Sequence, residues 1–238
     1  MKFIVIGASG GLGSSLVISL RTSGYKVFGI DINSSPTVDI VLSSSFNLIE
    51  AINTCKETSE GPYTFVISIA QKNRHKGITG YLENLHDFST ILSFNSIPIL
   101  QVASCLQDVA ILYPEQSHII NIGSVLSDFY STFESPSYGA SKAAAKSLVR
   151  DLSLVLAEKN ICINSISPAL LSRNQASKEF INKTLAKCKV LCEPTSYDDI
   201  YKLVIFISTS GIRSLRGKDI ILDFGLESID GFDLLSSQ

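Results

Sequence analysis

The chain is poor in the features that mark metal, nucleic-acid and membrane proteins. Of its 238 residues only three are histidines (His75, His86 and His118), scattered without ligand spacing. The five cysteines (Cys55, Cys105, Cys162, Cys188 and Cys192) form no CxxC pair. Cys188 and Cys192 could share a helix face, but no histidine cluster accompanies them and no metal is expected; all five read as reduced thiols of a cytoplasmic protein. A formal charge of −2 leaves no basic footprint for nucleic acid. No run approaches the roughly 20 apolar residues of a membrane span, so no membrane partner is expected. The strand-like pattern begins at residue 2, with no signal peptide in view.

What is present is an alternation of short β-branched runs and longer apolar-periodic stretches. With 45% hydrophobic residues, it predicts one α/β domain with a sizeable core. The expected architecture is a doubly wound parallel sheet of about seven strands with helices on both faces. Strands are read at residues 2–6, 25–30, 38–42, 63–67, 118–122 and 161–166, with a last one inside 216–223. Helical stretches are read at 46–56, 85–113 (containing Pro98) and 137–159. Only seven residues separate Asp31 from Asp39, and they include Ser34, Ser35 and Pro36. That is too short for a crossover helix, so a bare loop is expected there. No internal repeat or long linker is visible, and the tail after Gly225 has little pattern.

The first strand runs into Gly7, Ala8, Ser9, Gly10, Gly11, Leu12 and Gly13, followed by a helix through Leu16, Val17 and Leu20. Strand, glycine turn and helix is the context in which backbone approaches a pyrophosphate at the positive end of a helix. The second strand ends in Asp31, about 20 residues on, where an acidic side chain can accept hydrogen bonds from ribose hydroxyls. A carboxylate there repels a 2′-phosphate. No Lys or Arg lies in the turn or in the following Ile32, Asn33, Ser34 and Ser35. NAD is therefore expected over NADP. The plainer alternative is that Asp31 merely ends a strand.

Tyr138 and Lys142 lie four residues apart in the 137–159 helical stretch and so share a face. A free tyrosine titrates near ~10 and is a poor base at neutral pH. A neighbouring lysine cation favours the phenolate and lowers that value, giving an acid/base able to move a proton on and off an oxygen. A surface Tyr and Lys on an amphipathic helix would look the same in isolation. Ser124 follows the apolar run 118–122 and should emerge at the carboxyl end of a strand, where open parallel sheets bind ligands.

These motifs, in this order and over nearly the whole chain, resemble the short-chain dehydrogenase/reductase family and its Rossmann fold. The resemblance implies that Asn95, Ser124, Tyr138 and Lys142 are the catalytic residues. Ser124 would hold a substrate oxygen while Tyr138 exchanges its proton. Lys142 would also bond the nicotinamide ribose, and Asn95 would help hold a water-linked proton path. It further implies cofactor contacts from Gly7, Ser9, Gly10, Gly11, Leu12, Gly13, Asp31, Ile32, Ala70, Tyr138, Lys142, Pro168 and Ser172. The activity implied is NAD(H)-dependent interconversion of a secondary alcohol and a ketone by a homodimer or homotetramer.

The chain departs from the family pattern in several places. Ser68, Ile69, Ala70 and Gln71 stand where an Asn-Asn-Ala-Gly-like segment is usual, and Ala169 follows Pro168 in place of glycine. The shortened segment after Asp31 resembles the dihydropteridine-reductase branch, whereas the presence of Ser124 points away from it. A nucleotide-binding regulator on the same fold, without turnover, is a further alternative. Residues 170–195 fall where a substrate lid would lie. Phe129, Tyr130, Phe133 and Arg173 either line a substrate pocket or form a solvated or subunit-contact surface.

Overall fold

The computed structural model describes residues 1–43, 47–58, 61–71, 85–106, 116–128, 136–169, 171–172, 179, 194–212 and 214–223. Its seven strands are β1 (Lys2–Ile6), β2 (Lys26–Asp31), β3 (Ile40–Val41), β4 (Tyr63–Ile67), β5 (Ser117–Ile122), β6 (Ile161–Pro168) and β7 (Asp219–Leu222). The main helices are α1 (Gly11–Thr22), α2 (Leu48–Glu57), α3 (Leu85–Leu106), α4 (Pro136–Val155) and α5 (Tyr197–Thr209). All strand pairs are parallel, in the order β3-β2-β1-β4-β5-β6-β7. The order reverses between β1 and β4, and such a reversal opens a crevice at the carboxyl ends of the strands.

Period-two alternation divides the apolar side chains between two layers. Ile4, Ile6, Phe65, Ile67 and Ile119 pack with α2, α3 and α4, while Phe3, Val5, Val66, Ile120 and Ile122 pack with α1 and α5. Each helix answers with a stripe at helical spacing: Leu48, Ala51, Ile52 and Cys55 on α2, and Leu12, Leu16, Val17 and Leu20 on α1. The doubly wound parallel sheet of seven strands expected from the alternation is the one observed.

Several local readings need correction. The third strand is two residues long instead of five, because only Ile40 and Val41 pair with Ile30 and Asp31. The second helix is described from Leu48 to Glu57, residue 46 lying outside the described residues, and the long helix is described only to Leu106. That helix runs through Pro98 without breaking. Within it, residues 87–106 meet the length and composition of a membrane span. Half of that stretch is buried inside the protein, however, and α3 packs against α2 and α4 as a core helix. Residues 32–39 contain no helix, so the bare β2–β3 connection is present as expected.

Candidate active site

The glycine turn leaves β1 at Gly7, whose φ is +87°. A side chain is disfavoured there twice over: the backbone is left-handed, and a Cβ would collide with the Ser68 carbonyl at the end of β4. Gly10 caps α1 without a side-chain bond, and the first turn carries no acidic residue. Its N–H groups are therefore left to a ligand or water. Gly11 packs under the Tyr197 hydroxyl, and Gly13 sits one turn into the helix against the Gly7 carbonyl. The Leu12 side chain points into the core, so only its backbone can serve a ligand.

Asp31 ends β2 facing this turn and is 9% exposed. One carboxylate oxygen accepts from the Ser9 N–H at 2.9 Å and the other from the Asn33 N–H at 3.0 Å. A carboxylate offers about four acceptor positions, so two remain for hydroxyl donors. A cleft of about 200 Å³ opens beside it, bounded by Gly7, Ser9, Gly10, Ile32 and Ala70, with Phe94 and Pro98 of α3 forming an apolar wall. No Lys or Arg lines it among the described residues. These features fit an adenosine dinucleotide: backbone donors for phosphate, a carboxylate for ribose and an apolar wall for a base.

The second half of the site lies where α4 crosses the ends of β4 and β5. Lys142 is 2% exposed, and its Nζ donates to the carbonyls of Ile69 at 2.7 Å and Ile122 at 2.8 Å. It stands 5.7 Å from the centre of the Tyr138 ring, so the i, i+4 pair does share a face. Burial pushes the lysine down to about 7. Near neutrality Lys142 is thus poised between ammonium and amine, and its pull on the phenol is strongest below that value. Tyr138 is itself 8% exposed.

Ser124 follows β5, two residues past the Ile122 carbonyl that holds Lys142. Its side chain accepts from the Leu126 N–H at 3.2 Å and caps a short 3-10 turn, Val125–Ser127. Gly139, next to Tyr138, lies close against the Leu126 carbonyl of that turn. The turn is tied down further by Lys146, which pairs with Asp128 at 2.6 Å and Asp219 at 3.2 Å.

Asn95 is 1% exposed and clasps the backbone of Gln71 from both sides. Its Oδ1 accepts from the Gln71 N–H, and its Nδ2 donates to the Gln71 carbonyl, each at 2.9 Å. The other Nδ2 proton goes to Ser141 Oγ at 2.8 Å, and Ser141 in turn donates to the Tyr138 carbonyl at 2.7 Å. Both Asn95 amide protons are therefore engaged by protein, so it acts here as a brace between the β4 end and α4. Gln71 stands where the family pattern has glycine, yet its φ is not positive, and its side chain faces outward.

Of the remaining sequence-derived candidates, Pro168 closes β6, and the following Ala169 N–H donates to the Leu222 carbonyl at 3.0 Å. The Ser172 N–H donates to the Thr195 carbonyl at 3.1 Å. Phe129, Tyr130, Phe133, Arg173, Cys188, Cys192, the tail after Gly225 and most of the 170–195 lid lie outside the described residues. The sequence reading missed Thr37, Tyr197, Ser141 and the two carbonyls on Lys142. Ser, Thr and backbone groups carry no motif, and only their distant partners mark them. Among the described residues no cluster of three metal-ligating side chains occurs.

Residues 7–227 match the family model described as enoyl-(acyl carrier protein) reductase. The 3-oxoacyl-[acyl-carrier-protein] reductase of Buchnera aphidicola is 24% identical over 245 aligned residues, covering 94% of this chain and 96% of that protein. Among solved structures, an SCOR enzyme from Clostridium thermocellum superimposes with a TM-score of 0.74 at 22% identity, over 96% of this chain and 93% of its own. Sorbitol-6-phosphate 2-dehydrogenase from Erwinia amylovora gives 0.76 at 20%, over 94% and 98%. With a family match across residues 7–227 and a fold that superimposes on those structures, the chain belongs to the short-chain dehydrogenase/reductase family of oxidoreductases.

Proposed function

We propose that this oxidoreductase interconverts a secondary alcohol and a ketone with NAD(H). The observation that carries the reading is the position of Lys142, whose Nζ joins the ends of β4 and β5 and faces the Tyr138 ring. A buried amine beside a phenol, one strand end from a serine hydroxyl, is suited to moving a proton at a substrate oxygen. NAD would supply the hydride acceptor. Ser124 would hold the substrate oxygen, Tyr138 would take its proton on oxidation or return it on reduction, and Lys142 would bias the phenol toward its ionised form. Asn95 would keep the Gln71 backbone and α4 in register.

Asp31 supports NAD over NADP, because a 2′-phosphate would meet a carboxylate with no Lys or Arg lining the cleft beside it. The names of two relatives agree with the reaction class: one is a 3-oxoacyl reductase, the other a 2-dehydrogenase of a sugar-alcohol phosphate. We infer a small-molecule substrate and a cytoplasmic homodimer or homotetramer. The deciding experiment is a panel of alcohols with NAD and ketones with NADH, followed by nicotinamide absorbance. Turnover of none of them, with NADH nevertheless bound, would favour a non-catalytic nucleotide sensor.

A second reading rests on the helix-free residues 32–39, which parallel the dihydropteridine-reductase branch. NADH-dependent reduction of a quinonoid dihydropterin tests it directly, and absence of turnover removes it.

A further inference from the structure

We propose that Thr37 is a positioning residue for dinucleotide binding, acting through the glycine turn without touching the ligand. The inference rests on the cofactor reading above. Thr37 lies in the helix-free connection between β2 and β3 and is 7% exposed. Its Oγ1 donates to the Ala8 carbonyl at 2.7 Å, across 29 residues of sequence, and is also paired with Ser35 Oγ at 2.8 Å.

The Ala8 carbonyl and the Ser9 N–H belong to one planar trans peptide, so they point in opposite directions. Thr37 holds the carbonyl end of that plane, and Asp31 Oδ2 accepts from the N–H end at 2.9 Å. The two side chains therefore set the plane from both sides. Turning it would take the Ser9 N–H away from Asp31 and release the carboxylate that faces the ribose position.

The connection is itself built to deliver the hydroxyl. Thr37 presses so closely on β2 that its carbonyl occupies the place of a Cβ on Gly29. Asp39 then anchors the far end. Its Oδ2 accepts from the Gly29 N–H at 2.6 Å and from Arg21 at 2.6 Å, and its N–H donates to the Gly29 carbonyl at 2.8 Å. A crossover helix would bring its own packing to this edge of the sheet. Here one buried hydroxyl takes over the bracing of the turn.

The test is a titration of the full-length protein with NADH, followed by nicotinamide fluorescence, and with ADP-ribose as competitor. Thr37→Val is expected to weaken both ligands about three- to tenfold, the worth of one buried hydrogen bond, and Thr37→Ser to stay within about twofold of native. In an Asp31→Ala background the Thr37→Val penalty should largely vanish, because the hydroxyl acts through that carboxylate. Native affinity in Thr37→Val, or an undiminished penalty without Asp31, would overturn the proposal while leaving the cofactor reading intact. If Thr37→Val does not fold, Thr37→Ala is read in the same way. A native protein that binds neither NADH nor NADPH would end the cofactor reading and this inference together.

Discussion

Lys142 Nζ donates to the Ile69 and Ile122 carbonyls and lies 5.7 Å from the centre of the Tyr138 ring. Among the described residues no carboxylate pairs with it. A buried base without a counter-charge binds its proton more weakly than in water, and burial brings this one from 10.5 to about 7. The unfolded chain therefore holds more protons than the native one between those values. Stability tied to Lys142 rises with pH across that window and is lowest below 7. Lys142→Met strands the Ile69 and Ile122 carbonyls at every pH, so the measured quantity is the pH dependence: the melting temperature of the variant relative to native should be highest at pH 6 and fall toward pH 10. At about 2–4 °C per kcal/mol for a chain of this size, the difference should be several degrees. A pH-independent gap would mean that the lysine is not held in a poorly protonated state.

Tyr138→Phe removes the proton donor while keeping the ring against Lys142. Turnover of any substrate found in the alcohol and ketone panel should fall by at least about 10²-fold, the range for a lost general acid/base. NADH affinity should stay within a factor of about two, and a fluorescence titration separates the two effects. Retained turnover would transfer the proton role to another group.

Asn95→Ala strands the N–H and carbonyl of Gln71 and removes a donor from Ser141. Buried polar groups left without partners cost about 1–3 kcal/mol. The urea midpoint should drop accordingly with an unchanged slope. Asn95→Asp should be no better, since a carboxylate cannot donate to either the Gln71 carbonyl or Ser141. An unchanged midpoint in both variants would show that the brace is dispensable.

His118 sits in β5 opposite Thr64 of β4, and among the described residues neither its Nδ1 nor the Thr64 hydroxyl has a hydrogen-bond partner. Burial pushes this imidazole down to about 4 from 6.5. The unfolded state takes up a proton from pH 6.5 downward while the native state resists until about 4, so stability falls as pH drops through that window. His118→Gln should flatten that part of the urea-midpoint profile. An equally steep decline in the variant would assign the acid sensitivity to other groups.

Much of the architecture was legible because its signals are local. The run at residues 2–6, the stripe Leu12, Leu16, Val17 and Leu20, and the i, i+4 spacing of Tyr138 and Lys142 each show their period within a few residues. Other features were not. The third strand shrank to two residues because its pairing depends on where the 32–39 connection lets the edge approach β2. Helix α3 is apolar enough to be read as a span, yet carries Asn95 facing Gln71 and Ser141. The Gln71 carbonyl and the Ser141 hydroxyl that take the Asn95 amide protons lie 24 and 46 residues away, so no local pattern marks them.

From the chain alone came the alternation of strand and helix, the glycine turn facing an acidic strand end, and a phenol and amine on one helix face. All of these follow from backbone sterics and short-range periodicity. Folding in three dimensions chose which carbonyls hold Lys142, 73 and 20 residues away, and which hydroxyl braces Ala8. Those partners are united by sheet order and burial, and most buried polar atoms pair with whichever complement the packing brings within about 3 Å.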